Sequence, residues 1–156
     1  LSQGSRYILF AANPKRREKN YDVAKEAFGL LRDGREHLEL LTVCDEPHGR
    51  MSLYLNACDV LLLTSLYEGS PCIVKEAMAC NCPIVATDVG DVREVIGRTA
   101  GCYVTSFDAR DIAAKLEMAL SFGRRTSGRE AIGHLRQDVV ARRLARVYEE
   151  VLVSCK

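Results

Sequence analysis

The chain has 156 residues, 47% hydrophobic and 28% charged, and a formal net charge of +1. That length fits one domain with a substantial core, and the near-neutral balance argues against nucleic acid or an anionic membrane as a partner drawn by the global field. No apolar run approaches the roughly 18 residues a bilayer-spanning helix needs, and the stretch from Leu1 to Tyr7 has no signal-peptide core.

Tyr7 to Ala12 is an apolar run that predicts a first strand, followed by a basic loop, Asn13 to Asn20, carrying Lys15, Arg16, Arg17 and Lys19. Helical spacing then predicts a helix from Tyr21 to about Asp33 with Val23, Ala24, Ala27, Leu30 and Leu31 inward. A second strand is expected over Leu38–Cys44, a turn over Asp45–Gly49 and a short helix from Met51 to Cys58. Strands at Val60–Thr64, Pro83–Thr87 and Gly101–Val104 bring the number to about five, each followed by a helix or a loop leading to one. Such alternation implies an α/β fold: a Rossmann-like, doubly wound parallel sheet of about five strands with helices on both faces.

Asp108 is placed to cap the next helix, whose apolar residues Ile112, Leu116, Ala119 and Leu120 recur at helical spacing. Two more helices are expected to close the chain, split near Arg136–Asp138. The last carries Val140, Leu144, Val147, Tyr148 and Val151 on one face, which packing on this domain would cover. Arg142, Arg143 and Arg146 form its solvated face. No internal repeat or long linker divides the chain, so residues 1–156 read as a single domain.

The most informative stretch runs from Val60 to Ile96. It reads as strand, polar turn, helix, strand, Gly turn, helix, with Glu68 and Glu76 in a Glu-x7-Glu spacing across the first turn. Val60 to Leu63 is wholly apolar, the pattern of a strand covered on both faces. Ser70 is a good N-cap and Pro71 suits the first helical position. A helix opening at the carboxyl end of a buried parallel strand presents unpaired N–H groups and suits a phosphate. Gly69 lets the backbone approach a ligand closely. Glu76 lies about a turn and a half into the helix, where a carboxylate can accept hydrogen bonds from vicinal hydroxyls such as those of a ribose.

These residues resemble the donor-binding half of the retaining glycosyltransferases of family 4 (group 1), which have the GT-B architecture, and the resemblance runs from about Tyr7 to Leu152. It implies that Glu68, Gly69, Ser70 and Pro71 line the sugar–phosphate end of a nucleoside diphosphate sugar, with Glu68 and Lys19 acting in transfer. It further implies that Glu76 binds the ribose and that Gly90 faces the diphosphate. Lys19 matches a family phosphate-binding Lys by position. The family Arg has no counterpart, its place falling on Asn13 or Pro14, so Lys15 or Arg16 would have to substitute, and Arg16 joins the candidate donor ligands. A family Gly-Gly turn is here Gly90-Asp91, where Asp91 is expected to cap the helix from Val92 to Ile96.

On this resemblance the chain is the C-terminal half of a metal-independent hexosyltransferase, with no cofactor beyond the nucleotide sugar and a UDP-sugar slightly favoured. The other half would be an N-terminal acceptor-binding domain, through which any contact with the inner face of the membrane would come. The cellular expectation is cytoplasmic, in keeping with seven cysteines scattered through apolar segments. Alone, the domain is expected to bind donor weakly and to turn over nothing.

Alternatives stay open at this point. A nucleotide-sugar epimerase shares the architecture, and a non-catalytic nucleotide-binding or interaction domain is the blandest reading. Cys72, Cys80, Cys82 and Cys102 lack structural-zinc spacing and read as buried thiols. There is no D-x-D, G-x-x-x-x-G-K-[ST] or G-x-G-x-x-G motif. His48, in the turn where such folds place a base, is a weak contact candidate.

Overall fold

The computed structural model describes residues 4–33 and 36–154. Five parallel strands, β1 (Arg6–Phe10), β2 (Leu38–Thr42), β3 (Val60–Leu63), β4 (Ile84–Thr87) and β5 (Cys102–Thr105), form one sheet in the order β2-β1-β3-β4-β5. The helices are α1 (Tyr21–Arg32), α2 (His48–Ala57), α3 (Cys72–Ala79), α4 (Val92–Ile96), α5 (Ala109–Phe122), α6 (Gly128–Ala131) and α7 (Gln137–Ser154), with 3-10 turns at Arg17–Lys19 and Gly133–Leu135. The expected doubly wound sheet is therefore present; β1 to β4 are one or two residues shorter than the runs that predict them, and β5 has the expected length shifted by one residue.

The two-residue period of the strands sorts the core. Tyr7, Leu9, Leu61, Leu63, Ile84 and Ala86 face one layer, where Leu55, Val74, Ala77, Met78, Val92 and Ile96 of α2, α3 and α4 meet them. Ile8, Phe10, Val60, Leu62 and Val85 face the other, against Ala24, Ala27 and Leu31 of α1 and Ile112, Leu116, Ala119 and Leu120 of α5. β3 and β4 are buried at every residue, as strands covered on both faces must be. Asp108 caps α5 as expected, its carboxylate accepting from the N–H groups of Arg110 (2.8 Å) and Asp111 (3.2 Å).

Four expectations are corrected. Leu30 points outward, half exposed, because α1 buries the narrower stripe of Ala24, Ala27 and Leu31. Ser70 and Asp91 stand at the starts of α3 and α4 but cap neither with their side chains; Ser70 Oγ donates instead to Asp91 Oδ2, 2.7 Å away. Cys58 and Cys82 are buried with their sulfurs 3.5 Å apart, yet Cys72 is exposed and Cys80 and Cys102 only partly covered. Among the described residues no three metal-ligating side chains cluster. Finally, α7 buries nothing: Val140, Leu144, Val147, Tyr148 and Val151 are 45–62% exposed, since the helix leaves the body after Leu135 instead of folding back onto it. No helix among the described residues is long and apolar enough to cross a membrane.

Candidate active site

In a sheet of this order the connection from β1 runs to β2 on one side and that from β3 runs to β4 on the other, so a crevice opens between the carboxyl ends of β1 and β3. The loops that border it are those carrying the predicted residues. After β1, Lys15 N–H bonds to Asn13 Oδ1 (3.0 Å), and the chain tightens into the 3-10 turn ending at Asn20 in the left-handed region (φ 52°). This loop is tied to the one after β3. Leu66 N–H donates to Glu18 O at 2.8 Å, and the buried Thr64 hydroxyl donates to the carbonyls of Lys19 (2.8 Å) and Asn20 (3.1 Å).

Lys19 and Glu68, 49 residues apart in sequence, meet at this crevice: Lys19 Nζ lies 2.5 Å from Glu68 Oε1. Ser65, 1% exposed, donates its hydroxyl to the same oxygen at 2.8 Å. Both ion-pair partners keep less than a fifth of their side-chain surface, so water screens the pair less than it would a surface salt bridge. Ser65 is fixed in turn from β4, whose buried Thr87 donates its hydroxyl to Ser65 O at 2.7 Å. Glu68 is thus oriented by residues from three segments.

The loop after β4 lies against the Glu68–Gly69 backbone. Gly90 has φ +56°, and a Cβ there would fall 2.2 Å from Gly69 O and 2.9 Å from Glu68 O, so only glycine fits. At Gly69 the situation is reversed: a Cβ would meet nothing within 4 Å and the φ is ordinary, so neither packing nor conformation demands a glycine there. Just beyond, Lys75 Nζ donates to Asp91 Oδ2 at 2.8 Å and to Ser70 Oγ. Burial pushes the Asp91 carboxyl upward, but the bonds from Lys75 and Ser70 outweigh it and hold the group below the usual range. Its other oxygen, Oδ1, is buried with no hydrogen-bond partner.

The structure therefore brings Lys19, Glu68, Gly69, Ser70 and Gly90 together. Pro71 is buried at the start of α3, and Glu76 stands half-buried further along that helix. Arg16 does not join them: it is bound to Glu18 of its own loop and is 62% exposed. The side chain of His48 lies outside the described residues. Sequence reasoning missed Ser65, Thr87 and Lys75. A buried Ser three residues before Glu68 leaves no periodic signature, and a Lys within a helix reads as solvated. A cavity of about 380 Å³ at the opposite, amino edge of the sheet is lined by Arg6, His37, Leu38, Glu117 and Leu120; Arg6 is engaged there by Asp59 and Leu120 O, and ligands of open α/β sheets bind at the other end.

Fold and crevice together define a Rossmann-like α/β domain with a polar site at its topological switch point. Residues 48–121 match the family model described as Glycosyl transferases group 1. That stretch holds Glu68, Gly69, Ser70, Pro71, Glu76 and Gly90 but not Arg16 or Lys19. Over 67 residues the chain is 40% identical to a Bacillus subtilis protein named as a teichuronic acid biosynthesis glycosyltransferase, TuaC, covering 43% of this chain and 17% of that protein. Among solved structures it resembles a sucrose-phosphate synthase of Thermosynechococcus elongatus, with TM-score 0.79 and 18% identity over 99% of this chain and 47% of the other. It also resembles Anabaena Alr3699/HepE in complex with UDP-glucose, with TM-score 0.76 and 15% identity over 94% and 49%. Residues 48–121 are thus similar to group 1 glycosyltransferases, the fold is shared with these solved structures, and the chain spans less than half the length of each of these proteins.

Proposed function

We propose that the chain is the donor-binding domain of a retaining glycosyltransferase that transfers a hexosyl group from a nucleoside diphosphate sugar to an acceptor hydroxyl. The observation that carries this reading is the Lys19–Glu68 pair at the switch point, held by Ser65 and Thr64 and joined by a Gly69 that the protein's own packing does not require. A side chain absent where space is open is what close approach of a ligand to the backbone needs.

In this reading Glu68 orients the sugar, Glu76 takes the ribose hydroxyls, and Gly69, Ser70, Pro71 and Gly90 border the sugar and diphosphate. As the anomeric C–O bond breaks, its electron pair passes to the departing diphosphate, the acceptor oxygen bonds to the anomeric carbon, and its proton passes to the released diphosphate; Lys19 stabilises the negative charge that grows there without a resident metal. The UDP-glucose complex of the HepE structure makes a UDP-sugar the first donor to test. The acceptor-binding domain would lie N-terminal to this one in the same enzyme, which would be cytoplasmic, any contact with the inner membrane face coming through that domain. The uncovered apolar face of α7 supports a second body of this kind. Without it the chain should bind donor weakly and show no turnover.

Glu68→Gln tests the sugar assignment. It should weaken discrimination between a UDP-sugar and UDP, while bare UDP affinity changes little. Equal weakening of both would contradict the role given to Glu68.

A further inference from the structure

A diphosphate carries at least two negative charges and calls for more than one charge-assisted hydrogen bond. Among the cations on or beside the loops of the crevice, three pair with a nearby carboxylate: Arg16 with Glu18, Lys19 with Glu68, Lys75 with Asp91. They differ in where those pairs hold them. Arg16 is paired with Glu18 of its own loop, and 62% of its side chain is exposed. Lys75 reaches from inside α3 back to the tip of that segment, where its ammonium touches Ser70 Oγ, and only 27% of its side chain is exposed.

An ammonium has three N–H donors, and here Ser70 and Asp91 take two of them. The third is left for a ligand oxygen seated beside Ser70. Asp91 accounts for that placement. It departs from a Gly-Gly turn, its side chain caps no helix, and its carboxylate takes bonds from both Lys75 and Ser70 where Gly90 lets two loops touch.

Resting on the donor-site reading above, we propose that Lys75, oriented by Asp91 and Ser70, is the second cation of the diphosphate site, in place of Arg16. Lys19 then meets the diphosphate from the β1 side of the crevice and Lys75 from the α3 side.

The test is an NMR shift titration of the 156-residue chain with UDP, GDP and ADP, and with the parent nucleoside of whichever binds most tightly. Lys75→Met removes the charge and keeps the length. It should lower affinity for the nucleoside diphosphate by about tenfold or more, while nucleoside affinity and the effect of Arg16→Ala stay within about twofold. Lys75→Gln, a polar neutral replacement, should show the same split if the Met variant folds poorly. A loss shared equally by diphosphate and nucleoside would make Lys75 only a clamp between loops and overturn the proposal, as would a loss produced by Arg16→Ala instead. Wild-type binding that Glu76→Ala abolishes and Lys75→Met leaves intact would overturn the Lys75 assignment and spare the donor-site reading. A wild-type chain that binds none of the three nucleotides would overturn both.

Discussion

Helices α5 and α7 carry the same kind of pattern and meet opposite fates. In α5 the apolar residues Ile112, Leu116, Ala119 and Leu120 are all but fully buried against the sheet and α1. In α7, Val140, Leu144, Val147, Tyr148 and Val151 recur with comparable regularity and stay about half exposed. Periodicity specifies that a helix has a face to cover. It does not specify what covers it, because that depends on whether the intervening chain returns the helix to the core. Here the 3-10 turn at Gly133–Leu135 ends in an extended Arg136, which directs α7 away.

The contrast can be broken by matched truncations. Leu116→Ala should cost about 2–5 kcal/mol, because it leaves a cavity in a fully packed site. Leu144→Ala, on the uncovered face, should stay within about 0.5 kcal/mol in this chain; urea melts of both variants check the pair. A large cost at Leu144 would mean that α7 packs on the body in solution.

The two glycines of the crevice give a second contrast. Gly90→Ala must place a Cβ against the Gly69 carbonyl at a positive φ and should cost more than about 1 kcal/mol. Gly69→Ala should leave the melt nearly unchanged and weaken nucleotide-sugar binding instead. A stability loss at Gly69 would remove its reading as a ligand-facing glycine.

Smaller effects follow at the amino end of α5. Asp108→Ala removes two bonds to backbone N–H groups and should cost about 1 kcal/mol. Asp111 is held below the usual range first by the Ser106 backbone N–H and then by the hydroxyls of Ser106 and Thr105. A carboxyl lowered in the folded state contributes stability that is complete above its ordinary value of 3.8 and is lost as pH falls through the lowered one. Asp111→Asn should therefore flatten the acid limb of the stability profile and leave its slope near neutrality unchanged.

Much of this architecture is legible in the sequence. The wholly apolar runs of β3 and β4 and the alternation of strands with helices lead directly to the doubly wound sheet, and the loops then fall at its carboxyl edge. The meeting of Lys19 with Glu68 and Gly69 is legible too, because the strand–turn–helix pattern puts the loops after β1 and β3 side by side at that edge. What the sequence hides is partnership. Ser70 and Asp91 each suit the start of their own helix, and short polar side chains there choose between a local cap and a bond to another loop according to tertiary distance. Ser65 and Lys75 act through contacts made only once β3, β4 and α3 are assembled. The pairing of Arg16 with Glu18 is local, yet three neighbouring cations in the same loop gave no means of choosing among them.

The central claim is that this domain holds a nucleoside diphosphate sugar through Glu76 and the crevice at the switch point. The most direct measurement is isothermal titration of the chain with UDP, GDP and ADP beside the Glu76→Ala variant, with melting curves for both. The account predicts that one nucleotide binds, that Glu76→Ala abolishes the binding, and that the melting temperature hardly moves. Binding unaffected by Glu76→Ala, or no binding of any of the three up to millimolar concentration, would contradict it.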